Sequence, residues 1–134
     1  MTPLTTRRSP SSEDGQTAVE FALVLPILAV LLFAIVEFGV VFHDYVTVTD
    51  ASRVAAREAA VSRHVGDFGA AAEAAGAQAA ESLSDELDVE CTADDWTRPG
   101  SDVSCTVTYP YSIDVLGWVV ANGDLTSETT ERLE

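Results

Sequence analysis

The stretch "AVEFALVLPILAVLLFAIVEFGVVF", Ala18 to Phe42, holds only Glu20 and Glu37 as ionisable residues, and from Phe21 to Val36 there is no charge at all. At 1.5 Å per residue the charge-free part rises about 24 Å and the whole stretch about 37 Å, which brackets a hydrocarbon core of about 30 Å. The stretch therefore reads as a membrane span. A buried core helix of this composition needs a larger domain around it than the rest of a 134-residue chain can build. A signal peptide is disfavoured as well, because the run continues into "FGVVFHDYVTV" without a small-x-small cleavage site.

On its N-terminal side lies a segment rich in Ser, Thr, Pro and Arg with no periodicity, which reads as a flexible leader. The helix is expected to start near Gln16 and to contain Pro26, which removes one intrahelical hydrogen bond; membrane helices tolerate this. Ala18 and Ala22 form a small-xxx-small pair that permits close helix contact. On the C-terminal side, "DASRVAAREAAVSRHVG" places Ala51, Val54, Ala55, Val61 and Val65 on an apolar side and Arg53 and Arg57 on another, an amphipathic helix expected to end at Gly66. The β-branched run in "VTVTD" weakens helix propensity and Asp50 offers a fresh N-cap, but near-continuity with the span is the expectation. A second, Ala-rich helix is expected from about Phe68 to Leu83, after Asp67 as a cap.

The remainder is β-like. "ELDVECTA" and "DVSCTVTY" alternate apolar and polar residues around the turn chemistry of "DDWTRPGS". One plausible register sets Ala93 opposite Val103 and, on the same ladder, Cys91 opposite Cys105. A bridge there suits an oxidising exterior; two reduced thiols are the other reading, and zinc is disfavoured because neither His43 nor His64 lies at ligand spacing. "YPYSIDVLGWVV" reads as a turn followed by an apolar run, with Trp118 and its neighbours expected in the core beneath the sheet, contact with the outer membrane surface being the other reading. "DLTSETTERLE" reads as a last strand.

The formal charge of -15 is concentrated downstream: from Val65 to Glu134 there are fifteen Asp or Glu against Arg98 and Arg132. Such a surface repels nucleic acid and anionic headgroups. Arg7 and Arg8 precede the span while Arg53, Arg57 and Arg63 follow it, so counting positive charges does not decide the orientation. The cysteine pair favours a cytoplasmic N-terminus and an extracytoplasmic C-terminal domain.

Gly15 followed by four residues and then Glu20, with a basic leader before and an apolar run after, resembles the processing site of type IV prepilins and pseudopilins. The chain most resembles the TadE-like proteins of the tight-adherence (Flp) pilus system. The resemblance covers about Gly15 to Arg63 and rests on Gly15, Glu20, Pro26, Glu37 and Gly39 together with the Ala/Arg helix "ASRVAAREAA". Phe21 departs from the Tyr that often follows the glutamate in that system's major pilins, which favours a pseudopilin. The resemblance implies that a membrane aspartic peptidase, the prepilin peptidase, cuts between Gly15 and Gln16. The new α-amino group of Gln16 then lies one helical turn from Glu20, and in apolar surroundings the two charges would pair within one subunit or between neighbouring subunits. Without processing, Glu20 simply snorkels to the interface and Gly15 is a helix-flanking glycine.

The expected architecture is α+β: a long N-terminal transmembrane and amphipathic helix, a second Ala-rich helix and a small antiparallel C-terminal β-sheet. Its expected divisions are a leader (1–15), the span (16–43), a helical region (44–84) and a β-rich extracytoplasmic domain (85–134). No cofactor or metal site is expected. The functional expectation is a non-catalytic, membrane-anchored pilin-like subunit whose partners are the membrane, the peptidase, other pilin or pseudopilin subunits and the assembly machinery. A single-pass surface module whose acidic domain binds a cation or a basic partner is the alternative. An enzyme is disfavoured, since neither histidine has a nucleophile or orienting acid at a recognisable spacing.

Overall fold

The computed structural model describes residues 12–62, 67–83, 86–115 and 117–134, with side chains from Gly15 onward. The leader before Ser12, Arg63, His64 and the expected helix stop at Gly66 lie outside the described residues. Two helices and three strands follow one another: α1 (Ser12–Val61), α2 (Phe68–Ala79), β1 (Asp88–Ala93), β2 (Asp102–Val115) and β3 (Trp118–Arg132). The fold is α+β, as expected. The chain divides into two compact units after Ile35.

In the first unit α1 is a single apolar helix with Pro26 inside it. Its large side chains are exposed, Phe21 at 62% and Leu23 at 70%. A helix of this kind belongs in an apolar solvent.

In the second unit α1 runs through "VTVTD" without a break. The threonines there satisfy themselves within the helix: the Thr47 hydroxyl donates to the His43 carbonyl at 3.1 Å and the Thr49 hydroxyl to the Tyr45 carbonyl at 2.8 Å. Asp50 is thus no N-cap, and lies 3.6 Å from Arg53 in an exposed pair one turn apart.

Two small core clusters join α1 to the rest of this unit. One gathers Ala55, Ala56, Ala59 and Ala60 with Ala72 of α2, Cys91, Val103, Cys105 and Leu133; the other gathers Val48 and Ala51 with Ala80 and Val107. The buried stripe on α1 therefore follows the alanines. Val54 and Val61, expected on the apolar side, are 43% and 52% exposed. Small residues at i, i+4 and i+8 let α2 and the sheet approach the helix closely, which valine side chains would prevent.

The Asp67 carboxylate caps α2 by accepting from the Ala70 N–H at 3.3 Å. The helix ends earlier than Leu83, at Ala79; the Ala80 N–H bonds back to the carbonyls of Gly76 and Ala77, and turns carry the chain onward. Gly76 sits where a Cβ would meet the Ala55 Cβ at 3.0 Å and Val89 Cγ1 at 3.1 Å. A side chain larger than a methyl group at this position would push α2 away from α1. Phe68 stacks on Trp96 with ring centroids 6.2 Å apart, fastening α2 to the loop after β1.

The sheet is antiparallel in the order β1-β2-β3. Its first ladder has the expected register, Ala93 opposite Val103 and Cys91 opposite Cys105. Two expectations for the rest of the sheet are corrected. "YPY" is no turn: Pro110 lies within β2, paired with Asp124. The first ladder ends at the Asp88–Thr108 pair, so beyond it β2 is bordered by a described strand on one side only, a position that tolerates proline. The reversal comes later, at Gly117, whose φ of 83° is accessible to glycine at little cost. The apolar run "WVVA" and the threonine-rich segment then form one strand of 15 residues.

Trp118 is also not in the core. It is 82% exposed, Val119 62% and Val120 65%. The core lies where α1 covers the sheet, around Val103 and Val107, and the far end of the β2–β3 hairpin extends past both clusters. Within that extension the Tyr111 ring lies over Gly123, its cross-strand partner; a Cβ there would meet Tyr111 Cε1 at 3.1 Å.

Candidate anchoring and assembly segment

At its head, α1 places Gln16 and Glu20 one turn apart on one face, and the Gln16 Nε2 donates to Glu20 Oε1 at 3.2 Å. Gly15 precedes them with no atom within 4 Å of where a Cβ would stand. Pro26 lines an open apolar groove with Ile27, Val30, Leu31 and Ala34. Gly15, Gln16, Glu20 and Pro26 thus all lie on one continuous, exposed helix. Gly15–Val61 is long and apolar enough to cross a membrane.

Cys91 and Cys105 lie in the other unit, on adjacent strands, and are joined in a disulfide whose Cα atoms are 4.1 Å apart. The bridge is buried beneath α1 and closes the hairpin between β1 and β2. Two further devices hold α1 to this sheet. Ser52, fully buried, has its hydroxyl 2.9 Å from the Thr129 hydroxyl and 3.2 Å from that of Ser127. The Glu134 N–H donates to the Ala60 carbonyl at 3.2 Å, while the Leu133 N–H donates to Ser101 and the Gly100 N–H to the Leu133 carbonyl. Sequence reading missed this hydroxyl cluster; the polar Ser52 within an alanine stripe was its only local signal.

Acidic side chains surround the loop between β1 and β2. The Thr97 hydroxyl and backbone N–H donate to Asp95 Oδ1 at 2.7 Å and 2.9 Å. These bonds hold the Asp95 carboxyl below its usual range, with a smaller contribution in the same direction from Arg98. Across the sheet, Arg132 Nε lies 3.5 Å from Asp102. No group of three or more His, Cys, Asp or Glu residues able to hold a metal ion is found among the described residues.

A helix long and apolar enough to cross a membrane once, continued into a small disulfide-bridged helix-and-sheet unit, defines the class: an α+β protein with a long N-terminal apolar helix. Residues 15–57 match the family model described as TadE-like protein. The match covers 43 of the chain's 134 residues. It begins at Gly15 and ends at Arg57, so α2 and the sheet lie beyond it. No curated protein and no solved structure matches the chain.

Proposed function

We propose that this chain is a minor pilin-like subunit, a pseudopilin, of a tight-adherence pilus assembly system, cut by a prepilin peptidase between Gly15 and Gln16. The observation that carries the reading is the pair Gln16 and Glu20. They share one face at the head of a run that is otherwise free of charge as far as Val36, inside the segment that matches the TadE-like family. Before cleavage the Gln16 side chain serves as the partner of Glu20. After cleavage the same residue carries an α-amino cation one turn away, and an ion pair in apolar surroundings is far less costly than either charge alone. A pairing made between neighbouring subunits sets their stagger.

In this reading the N-terminus is cytoplasmic, the disulfide-bridged unit is extracytoplasmic, and the chain does no chemistry of its own. It anchors and assembles through α1, with other pilin or pseudopilin subunits and the assembly machinery as partners. Co-expression with its peptidase is expected to remove about 1.6 kDa and leave Gln16 as the first residue. Gly15→Ala is expected to block the cut, and Glu20→Ala to leave insertion intact while impairing assembly. A native protein that keeps its leader in cells with working pili sinks the reading in favour of a tethered acidic binding module. Normal assembly of Glu20→Ala reduces Glu20 to a snorkelling residue.

A further inference from the structure

The far end of the β2–β3 hairpin is apolar, exposed and directed. Val115, Trp118, Val119 and Val120 carry no charge, and the three on β3 are all more than half exposed although successive strand residues face opposite sides. A tip bare on both faces is not a misplaced core face. Its direction follows from two independent sets of contacts within the second unit. Along β2, Val103 belongs to the core cluster of Ala55, Ala56 and Ala59, whereas Val107 belongs to that of Val48 and Ala51, so β2 advances as α1 is descended toward its N-terminus. Along β3 and the two residues after it, Ser127 meets Ser52 and Glu134 meets Ala60, so β3 advances with α1 and its start points the same way as the end of β2.

Reach is sufficient. From Val107 to Val115 the strand rises about 26 Å at about 3.3 Å per residue. From Val48 back to Val36 the helix rises only about 18 Å. The hairpin is therefore long enough for its tip to draw level with Val36–Phe42 of α1, a segment that is apolar apart from Glu37. We propose that the tip, through Trp118, Val119 and Val120, enters the interfacial zone of the lipid bilayer that α1 crosses, as a second membrane contact of this chain.

This rests on α1 being a membrane span. An indole is suited to that zone, with an apolar body and a polar N–H. The acidic remainder of the unit is repelled by anionic headgroups, so the contact is apolar and made with neutral lipid. Asp114, which accepts from the Ser112 hydroxyl at 3.2 Å, sets the depth limit one residue before Val115. The same bilayer is always near, because the tip is tethered to it by its own chain.

The test uses the full chain with Trp96→Phe, which retains the ring stacked on Phe68 and leaves Trp118 as the sole tryptophan. The protein is reconstituted in phosphatidylcholine vesicles with and without bromine atoms high on the acyl chains. Resistance to alkaline carbonate extraction reports the span independently. In chain that resists extraction, Trp118 emission is expected to be blue-shifted, to lose most of its intensity to brominated lipid, and to do so equally at low and high salt. In the complementary Trp118→Ser chain, Trp96 is expected to keep its intensity. Unquenched, water-like emission from Trp118 in membrane-retained chain overturns the proposal while leaving the span intact. Release by carbonate overturns the span and the proposal together. A blue shift that disappears on dilution into excess lipid overturns it in favour of a second copy of the chain as the occupant.

Discussion

Cys91 and Cys105 stand directly opposite one another on β1 and β2, their Cα atoms 4.1 Å apart, with the bridge between them buried under the alanines of α1. The largest fully buried side chains around it are valines, so the apolar contribution of this core is small. The sequence separation of 14 closes a loop for which the chain-entropy estimate is about 3 kcal/mol. Reduction, or Cys91→Ser with Cys105→Ser, is expected to lower stability by about 2 to 4 kcal/mol. Denaturant titration of the detergent-solubilised chain, followed by Trp96 fluorescence, measures it; an unchanged midpoint after reduction counts against the bridge as a principal support.

Gly76 predicts a size limit between α2 and α1. With Ala55 Cβ at 3.0 Å and Val89 Cγ1 at 3.1 Å from an added Cβ, a methyl group needs only a small shift. The helix-propensity gain of about 1 kcal/mol offsets that shift, so Gly76→Ala is expected to be close to neutral. Gly76→Leu has no such room and is expected to cost about 2 kcal/mol. Gly69→Leu, on the same helix with nothing within 4 Å of its Cβ position, is the control and is expected to stay within about 0.5 kcal/mol. Equal thermal shifts for the two leucine variants would remove the packing explanation.

The Asp95 turn predicts a pH effect of definite sign. The Thr97 hydroxyl and N–H hold the folded carboxyl below its ordinary value of 3.8. A depressed folded pKa contributes stability that is present above the unfolded value and is lost as pH falls through the lower folded value. The loop is therefore expected to loosen only in acid, below the ordinary carboxylate range. Thr97→Val removes the larger hydrogen bond and is expected to move the Asp95 titration upward. Side-chain carboxyl NMR reads this directly, and identical titration curves for the two proteins would refute the hydroxyl's role.

Much of this architecture is legible in local chemistry. The Phe21–Val36 run needs no tertiary partner to declare itself, because its length and lack of charge match a bilayer. The Cys91–Cys105 pairing is one of the registers that strand alternation around the Pro99-Gly100 turn allows, and the folded sheet selects it. Gln16 and Glu20 share a face by helical period alone. Other features depend on neighbours distant in the chain. The burial of Ala51 and Ala55, and the exposure of Val54 and Val61, follow from how closely α2 and the sheet approach. Pro110 and Trp118 misled because a strand longer than its neighbour has a free border and a tip beyond the core, and no short window of residues records how far the neighbour extends.

The amino-acid order alone determined the long apolar helix, its carboxylate at the head and the two alternating segments that carry the cysteines, since each follows from spacing along a helix or strand. Tertiary structure alone decided which side of α1 is covered, that Ser52 meets Ser127 and Thr129, and that Trp118 is left bare at the end of the sheet. The reason is physical: period and propensity act over a few residues, whereas burial is settled by which surfaces meet once the elements have packed.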